Sequence, residues 1–283
     1  MCGYIDWCAW TAEGIIGAFF AWFLLHSVKK MPPCAPISIW RLGPETLASF
    51  AALPSSRLAM AQAVLSLEER RRAAAFHADE DRLLYSASHV ALRIVLGQIL
   101  GISPERLEFT GDGKPALFGL PTVSPPLRFN LAHTRGAVLI AAAAGCEVGV
   151  DIEQHRAIED VESLVRTIAS PAEGAAWEAL APVLRQQAFY RLWTRKEAYL
   201  KAIGLGLFRD LQAVTVPVTF DELPKPVLVN DRGESLPWRW WRLCDLPVWE
   251  GFSAALCWQS DDSALDTLPK LTVKDLSVGD LAI

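Results

Sequence analysis

Asp151 and Glu153, in the run Gly149-Val150-Asp151-Ile152-Glu153, stand two positions apart near the end of a segment that reads as a strand. The pleat repeats every two residues, so both carboxylates project from one face, about 6 to 7 Å apart. That separation suits a shared metal ion, whereas an isolated Asp-x-Glu is more often a solvated strand end. A second element, Trp193-Thr194-Arg195-Lys196-Glu197-Ala198-Tyr199-Leu200-Lys201, reads as helix. Spacings of four and eight bring Trp193, Glu197 and Lys201 onto one helix face. Their plain alternative is a surface Glu–Lys pair worth about 0.3–0.5 kcal/mol. Taken with the strand pair, Glu197 completes an oxygen-ligand set for Mg²⁺ that leaves positions for substrate phosphates and water. Lys201 then faces a phosphate oxygen. Phosphoryl chemistry needs this combination, because the catalyst mainly positions the transferred group and neutralises its charge.

The pairing of GVDIE with WTRKEAYLKAIGLGL resembles the signature of the 4′-phosphopantetheinyl transferase superfamily, in its longer single-chain, surfactin-synthetase type, and the likeness runs over about residues 35–258. It implies two related α+β halves with coenzyme A in the cleft between them. It also implies an activity: Mg²⁺-dependent transfer of 4′-phosphopantetheine from coenzyme A to a serine of an apo acyl or peptidyl carrier protein, releasing 3′,5′-ADP. Under the resemblance Asp151, Glu153 and Glu197 are the magnesium ligands, Asp151 and Lys201 lie beside the pyrophosphate, and Glu197, or a water it orients, takes the serine proton. Three further stretches match. Asp79-Glu80-Asp81-Arg82 is similar to the family's Asp-x-x-Arg helix, Gly113-Lys114-Pro115 to its Gly-Lys-Pro turn, and Phe129-Asn130-Leu131-Ala132-His133-Thr134 to its Phe-Asn-x-Ser-His-Ser segment. The resemblance carries Arg82, Lys114, His133 and Thr134 to the coenzyme A nucleotide and its 3′-phosphate, for which basic groups and a hydroxyl are suited. Ala132 stands where the family usually has serine. Glu173, after Ser170-Pro171, matches a recurrent family glutamate but is read as structural, since acids are common at helix starts. Arg70, Arg71 and Arg72 read as a solvated helix face.

Two other functions use similar residues. A metal-dependent phosphodiesterase also clusters carboxylates, and a non-catalytic coenzyme A binding module would need Lys114 and His133 while dispensing with Asp151 and Glu197.

The elements that must position these residues are mixed strands and helices without the βαβ rhythm of a doubly wound sheet, so the fold class expected is α+β. Helices are expected over 61–78, 79–100 and 184–202, with another opening at Ser170, Pro171 and Glu173. Strands are expected over 127–131, 138–144, 148–152, 214–218, 227–230, 238–243 and 252–258. The order long helix, glycine turn, strands occurs around 80–145 and again around 184–258, which predicts two pseudo-symmetric α+β halves, 31–145 and 146–258, with the active site between them. Residues 259–283 read as a loosely packed tail.

The apolar run Gly14–Leu25 is shorter than the ~20 residues of a bilayer span and lacks the flank order of a secretory signal. No membrane association is therefore expected. Residues 1–30 read as an extension ahead of a true initiator at Met31. The net charge of −5 excludes general nucleic-acid binding, which needs a broad basic face. Six cysteines without zinc spacing point to reduced thiols and a cytoplasmic protein. Two halves in one chain point to a monomer.

Overall fold

Alternation in β1 (Ile37–Leu42) buries Ile37 and Ile39 on one face, as the two-residue pleat requires, and Leu42 is buried in the core on the other face. The computed structural model describes residues 36–110, 114–118, 124–204, 210–219, 227–228, 230–231, 240–260 and 269–281. The reading of residues 1–30, Gly113 of the Gly-Lys-Pro turn, and Trp238 lie outside the described residues.

After β1 come three short helices, α1 (Pro44–Ala51), α2 (Ser55–Gln62) and α3 (Leu67–Ala74), then the long α4 (Asp79–Leu100). The single helix expected over 61–78 is broken because Ser66 starts a new one. Its Oγ accepts the Glu69 N–H at 3.1 Å while Glu69 Oε2 accepts the Ser66 N–H at 2.7 Å, a reciprocal cap that satisfies donors a continuing helix would not leave free. β2 (Glu108–Thr110) and β3 (Ala116–Phe118) form a small hairpin-like pair, followed by β4 (Leu127–Thr134) and β5 (Ala137–Ala144).

The second series opens with β6 (Val148–Gln154), then α5 (Val161–Ile168), α6 (Pro171–Glu178) and the long α7 (Pro182–Ile203). Short β7 (Val214–Thr215), β8 (Val227–Leu228) and β9 (Asn230–Asp231) precede β10 (Trp240–Asp245) and β11 (Phe252–Ser260). α4 and α7 each have 22 residues and each ends on a left-handed glycine, Gly101 at φ 66° and Gly204 at φ 74°.

Two four-stranded sheets result, ordered β12 (Leu271–Asp275), β1, β5, β4 and β6, β11, β10, β8. The first includes β12, which runs parallel to β1 with Ile37 opposite Leu271. This corrects the expectation of a loose tail: after β12, α8 (Val278–Leu281) brings Leu276 and Leu281 into the core beneath α4. The acidic composition hid an apolar pair that closes the first sheet. One apolar core lies under α4, another under α7, and a third joins the two sheets through Ile39, Leu139, Val150, Ile152 and Trp258. α4 is long and apolar enough to cross a membrane by composition, but 67% of its apolar window is buried inside the protein, so it is a core helix here. Cys244 and Cys257 are free and buried.

Candidate active site at the junction of strand and helix

Val148, Val150 and Ile152 are completely buried in the core that joins the sheets. The pleat therefore sends Gly149, Asp151 and Glu153 to the opposite face of β6, where α7 lies. Gly149 sets how close the helix comes. A Cβ there would sit 2.2 Å from Ala198 O and 2.3 Å from Ala202 N, so only a residue without a side chain lets the backbone of α7 rest on the strand. Glu197 and Lys201 flank those two alanines in sequence and are thereby carried to Asp151.

Asp151 is 4% exposed, and its Oδ1 accepts a hydrogen bond from Lys201 Nζ at 2.5 Å. Asp151 Oδ2 and Glu197 Oε1 are buried without a hydrogen-bond partner. Burial pushes the Asp151 pKa up, against the pull of Lys201. Burial and then the Asp151 charge raise Glu153, and the same two causes raise Glu197. Burial and the Asp151 charge thus disfavour ionisation of Glu153 and Glu197, while Lys201 favours it in all three carboxyls.

β6 is an edge strand of its sheet, and the facing edge of the other sheet is β4. Asn130 Oδ1 on β4 accepts the Val150 N–H at 2.9 Å, and Thr134 Oγ1 accepts the Gln154 N–H at 3.4 Å while donating to Glu153 Oε2 at 3.0 Å. Side chains thus replace ladder partners along the strand that bears the acids.

Among the described residues no group of three His, Cys, Asp or Glu side chains is gathered tightly enough to hold a metal ion as it stands. The donor chemistry nevertheless fits a hard divalent cation: carboxylate oxygens only, two of them buried and unpartnered, as Mg²⁺ prefers. A model of the 4′-phosphopantetheinyl transferase superfamily matches residues 147–257, the span that contains β6 and α7. The chain is 36% identical over 174 residues to the 4′-phosphopantetheinyl transferase HetI of Nostoc sp., covering 61% of this chain and 73% of that protein. The chain belongs to the 4′-phosphopantetheinyl transferase superfamily. It is also 32% identical over 207 residues to a phosphopantetheinyl transferase of Thraustochytrium sp., covering 67% of this chain and 68% of the relative.

In this transferase the expected nucleotide residues do not all present free groups. Arg82, on the first turns of α4, pairs with Asp79 one turn back, and its side chain keeps 40% of its exposure. His133 is exposed on β4, with its pKa lowered by surrounding protein and next by Lys201. Lys114 differs from the expectation. Its ammonium donates to Glu147 Oε2 at 2.7 Å, Val148 O at 2.8 Å and Ala202 O at 3.0 Å, which uses all three of its protons. It ties the start of β6 to the end of α7. Thr134 likewise turns to Glu153. Ala132 is buried in the core between the sheets, so the serine usual in the family would fall on the β6 side of the strand, with Asn130 and Thr134. Arg70, Arg71 and Arg72 are exposed, as a solvated face should be.

Three transferase residues escaped sequence reasoning in their actual roles. Gly149 reads as part of a strand end, and only the packed helix reveals the close approach. Asn130 carried no signal beyond its place in a matching segment. Lys196, between Arg195 and Glu197, is wholly buried and donates to Glu173 Oε2 at 2.7 Å, Leu211 O at 2.7 Å and Val214 O at 2.5 Å. Glu173 in turn accepts the N–H groups of Ser170 and Val216, which bears out its structural reading. The basic run of the motif thus anchors α7 through Lys196, and through Arg195, which grips both oxygens of Asp245 at 2.7 and 2.8 Å.

Proposed function

We propose that this transferase moves the 4′-phosphopantetheine arm of coenzyme A onto a serine of an apo acyl or peptidyl carrier protein, with Mg²⁺ held by Asp151, Glu153 and Glu197. The observation that carries the reading is the pair of buried, unpartnered oxygens, Asp151 Oδ2 and Glu197 Oε1, beside the Lys201 ammonium. A buried acceptor without a partner is costly, and a cation resolves that cost.

The serine Oγ forms a bond to the phosphorus that bears the pantetheine arm, the bond from that phosphorus to the bridging oxygen breaks, and 3′,5′-ADP leaves. Bound Mg²⁺ supplies neutralisation of the pyrophosphate charge. Lys201, 29% exposed along its side chain, has ammonium protons to spare for a phosphate oxygen besides the one given to Asp151. Glu197, made more basic than an ordinary glutamate by burial and by Asp151, receives the serine proton. His133 and Arg82, both on surfaces open to solvent, face the phosphorylated ribose. The paired sheets in one chain support a monomer, and the composition supports a place in the cytoplasm.

Purified protein, Mg²⁺, coenzyme A and a panel of apo carriers should give a mass increase of about 340 Da on the carrier serine, the size of the transferred arm in such a phosphoryl transfer. Asp151→Ala and Glu197→Ala should abolish the increase with the fold intact. No increase with any carrier overturns the reading.

A further inference from the structure

We propose that Thr134 is a positioning residue, which fixes the Glu153 carboxylate for a hard divalent cation, rather than a contact to the nucleotide. The inference rests on the metal reading given above.

A threonine hydroxyl has one proton and accepts through its lone pairs. The Thr134 proton is spent on Glu153 Oε2 at 3.0 Å, and a lone pair accepts the Gln154 N–H at 3.4 Å. A phosphate oxygen in this role only accepts, so it would need the proton that Glu153 already holds. Thr134 is also buried, on the face of β4 shared with Asn130 and Ala132 and turned toward β6, whereas His133 between them points the other way and is exposed.

The register makes the contact specific. Asn130 and Thr134 are four residues apart on β4, and the amides they accept, Val150 and Gln154, are four apart on β6. Two edge strands from different sheets are thus laced by side chains in place of a backbone ladder, with Asp151 and Glu153 inside the laced span. Asn130 holds the strand alone. Thr134 holds both the strand and the acid, so its hydroxyl couples the carboxylate's rotation to the first sheet. Outer partners of this kind orient ligands and typically change metal affinity 10- to 100-fold when removed.

The test uses the full chain and Mn²⁺ as a spectroscopic stand-in for Mg²⁺, titrated by electron paramagnetic resonance without coenzyme A, with coenzyme A binding measured separately by calorimetry in chelator. Thr134→Val should weaken Mn²⁺ binding about 10- to 100-fold and leave metal-free coenzyme A affinity unchanged, while Thr134→Ser keeps both near wild type. In a double-variant cycle, Thr134→Val should add nothing further to Glu153→Gln, because the partner it acts through is already altered. Unchanged Mn²⁺ affinity in Thr134→Val, or a loss of metal-free coenzyme A affinity, overturns the proposal. Should Thr134→Val fail to fold by near-ultraviolet circular dichroism, Thr134→Ala, which also lacks the hydroxyl, decides by the same two measurements: weakened Mn²⁺ binding with unchanged metal-free coenzyme A affinity supports the proposal, and any other result overturns it. A wild-type chain that labels carriers yet binds no Mn²⁺ overturns the metal reading and this proposal together, leaving the transferase reading intact. Mn²⁺ binding that depends on Thr134 in a chain that labels no carrier does the reverse.

Discussion

The two long helices solve the same structural problem and differ in what they carry. Arg93 is the fifteenth residue of α4 and Lys196 the fifteenth of α7. Each is buried, each pairs with the glutamate of a capping box, and each donates to two carbonyls of the segment after its helix: Arg93 to Glu69, Pro104 O and Leu107 O, and Lys196 to Glu173, Leu211 O and Val214 O. The next positions diverge. Glu197 and Lys201 of α7 correspond to Ile94 and Gln98 of α4, and Ala198 and Ala202 to Val95 and Ile99. The small pair lets α7 lie on Gly149, whereas Ile99 is 42% exposed and α4 leans chiefly on the short helices and the turn after it. A shared anchor holds both helices, and chemistry was placed only where glycine and alanine allow helix and strand to touch. Charges could not have been brought together across a layer of larger side chains.

Breaking the close approach should have the largest effect. Gly149→Val should cost several kcal/mol, since backbone rather than a flexible side chain blocks the space, and should remove detectable transfer, checked by thermal melts and by carrier mass. Retained activity would show that the helix–strand distance is not what assembles the site. Next, Arg93→Met and Lys196→Met should each lose about 3–5 kcal/mol, because each leaves a buried carboxylate without its cation. Denaturant unfolding measures this. In the fraction that folds, Lys196→Met should also lower turnover, being next to Glu197, while Arg93→Met should not. Equal loss of turnover would erase the distinction between the halves.

Acid should test the anchor of α4. Burial alone would raise Glu69, but hydrogen bonds from His89, the Ser66 N–H and Arg93 outweigh it and bring the pKa down to about 2 from 4.5. A carboxyl depressed on folding contributes stability that is present above its unfolded pKa and lost as pH falls toward the folded one. Stability on the order of 3 kcal/mol should therefore disappear between about pH 4.5 and 2, and Glu69→Gln should flatten that part of the pH–stability curve measured by urea unfolding. The smallest effect is expected at the caps: Ser66→Ala and Ser170→Ala should each cost about 1 kcal/mol, read as matched shifts in urea midpoint.

Much of this was legible along the chain. The capping box at Ser170 was readable because Pro171 and Glu173 follow it. The equivalent Ser66-Leu67-Glu68-Glu69 lies inside the span expected as one continuous helix. The acids and Lys201 were readable from spacing, since strand and helix periods alone put them on common faces. The residues that face both sides of a junction were not. Lys114 and Thr134 carry groups suited to a phosphate, and only the neighbouring elements reveal that those groups are already spent on Glu147, Val148, Ala202 and Glu153. The end of the chain misled for a similar reason: β12 is short and polar by composition, and its partner β1 lies at the far end of the sequence.

By itself the sequence determined which residues share a face and where the two long helices stop, because periodicity and glycine act through neighbours a few positions away. It also determined the family, through two local motifs. The distance between β6 and α7, the lacing of β4 to β6, and the partners that Lys114 and Thr134 take within the protein were decided by the tertiary structure alone. Those depend on which surfaces meet across the chain, and a hydrogen-bond donor has only as many protons as its partners leave it.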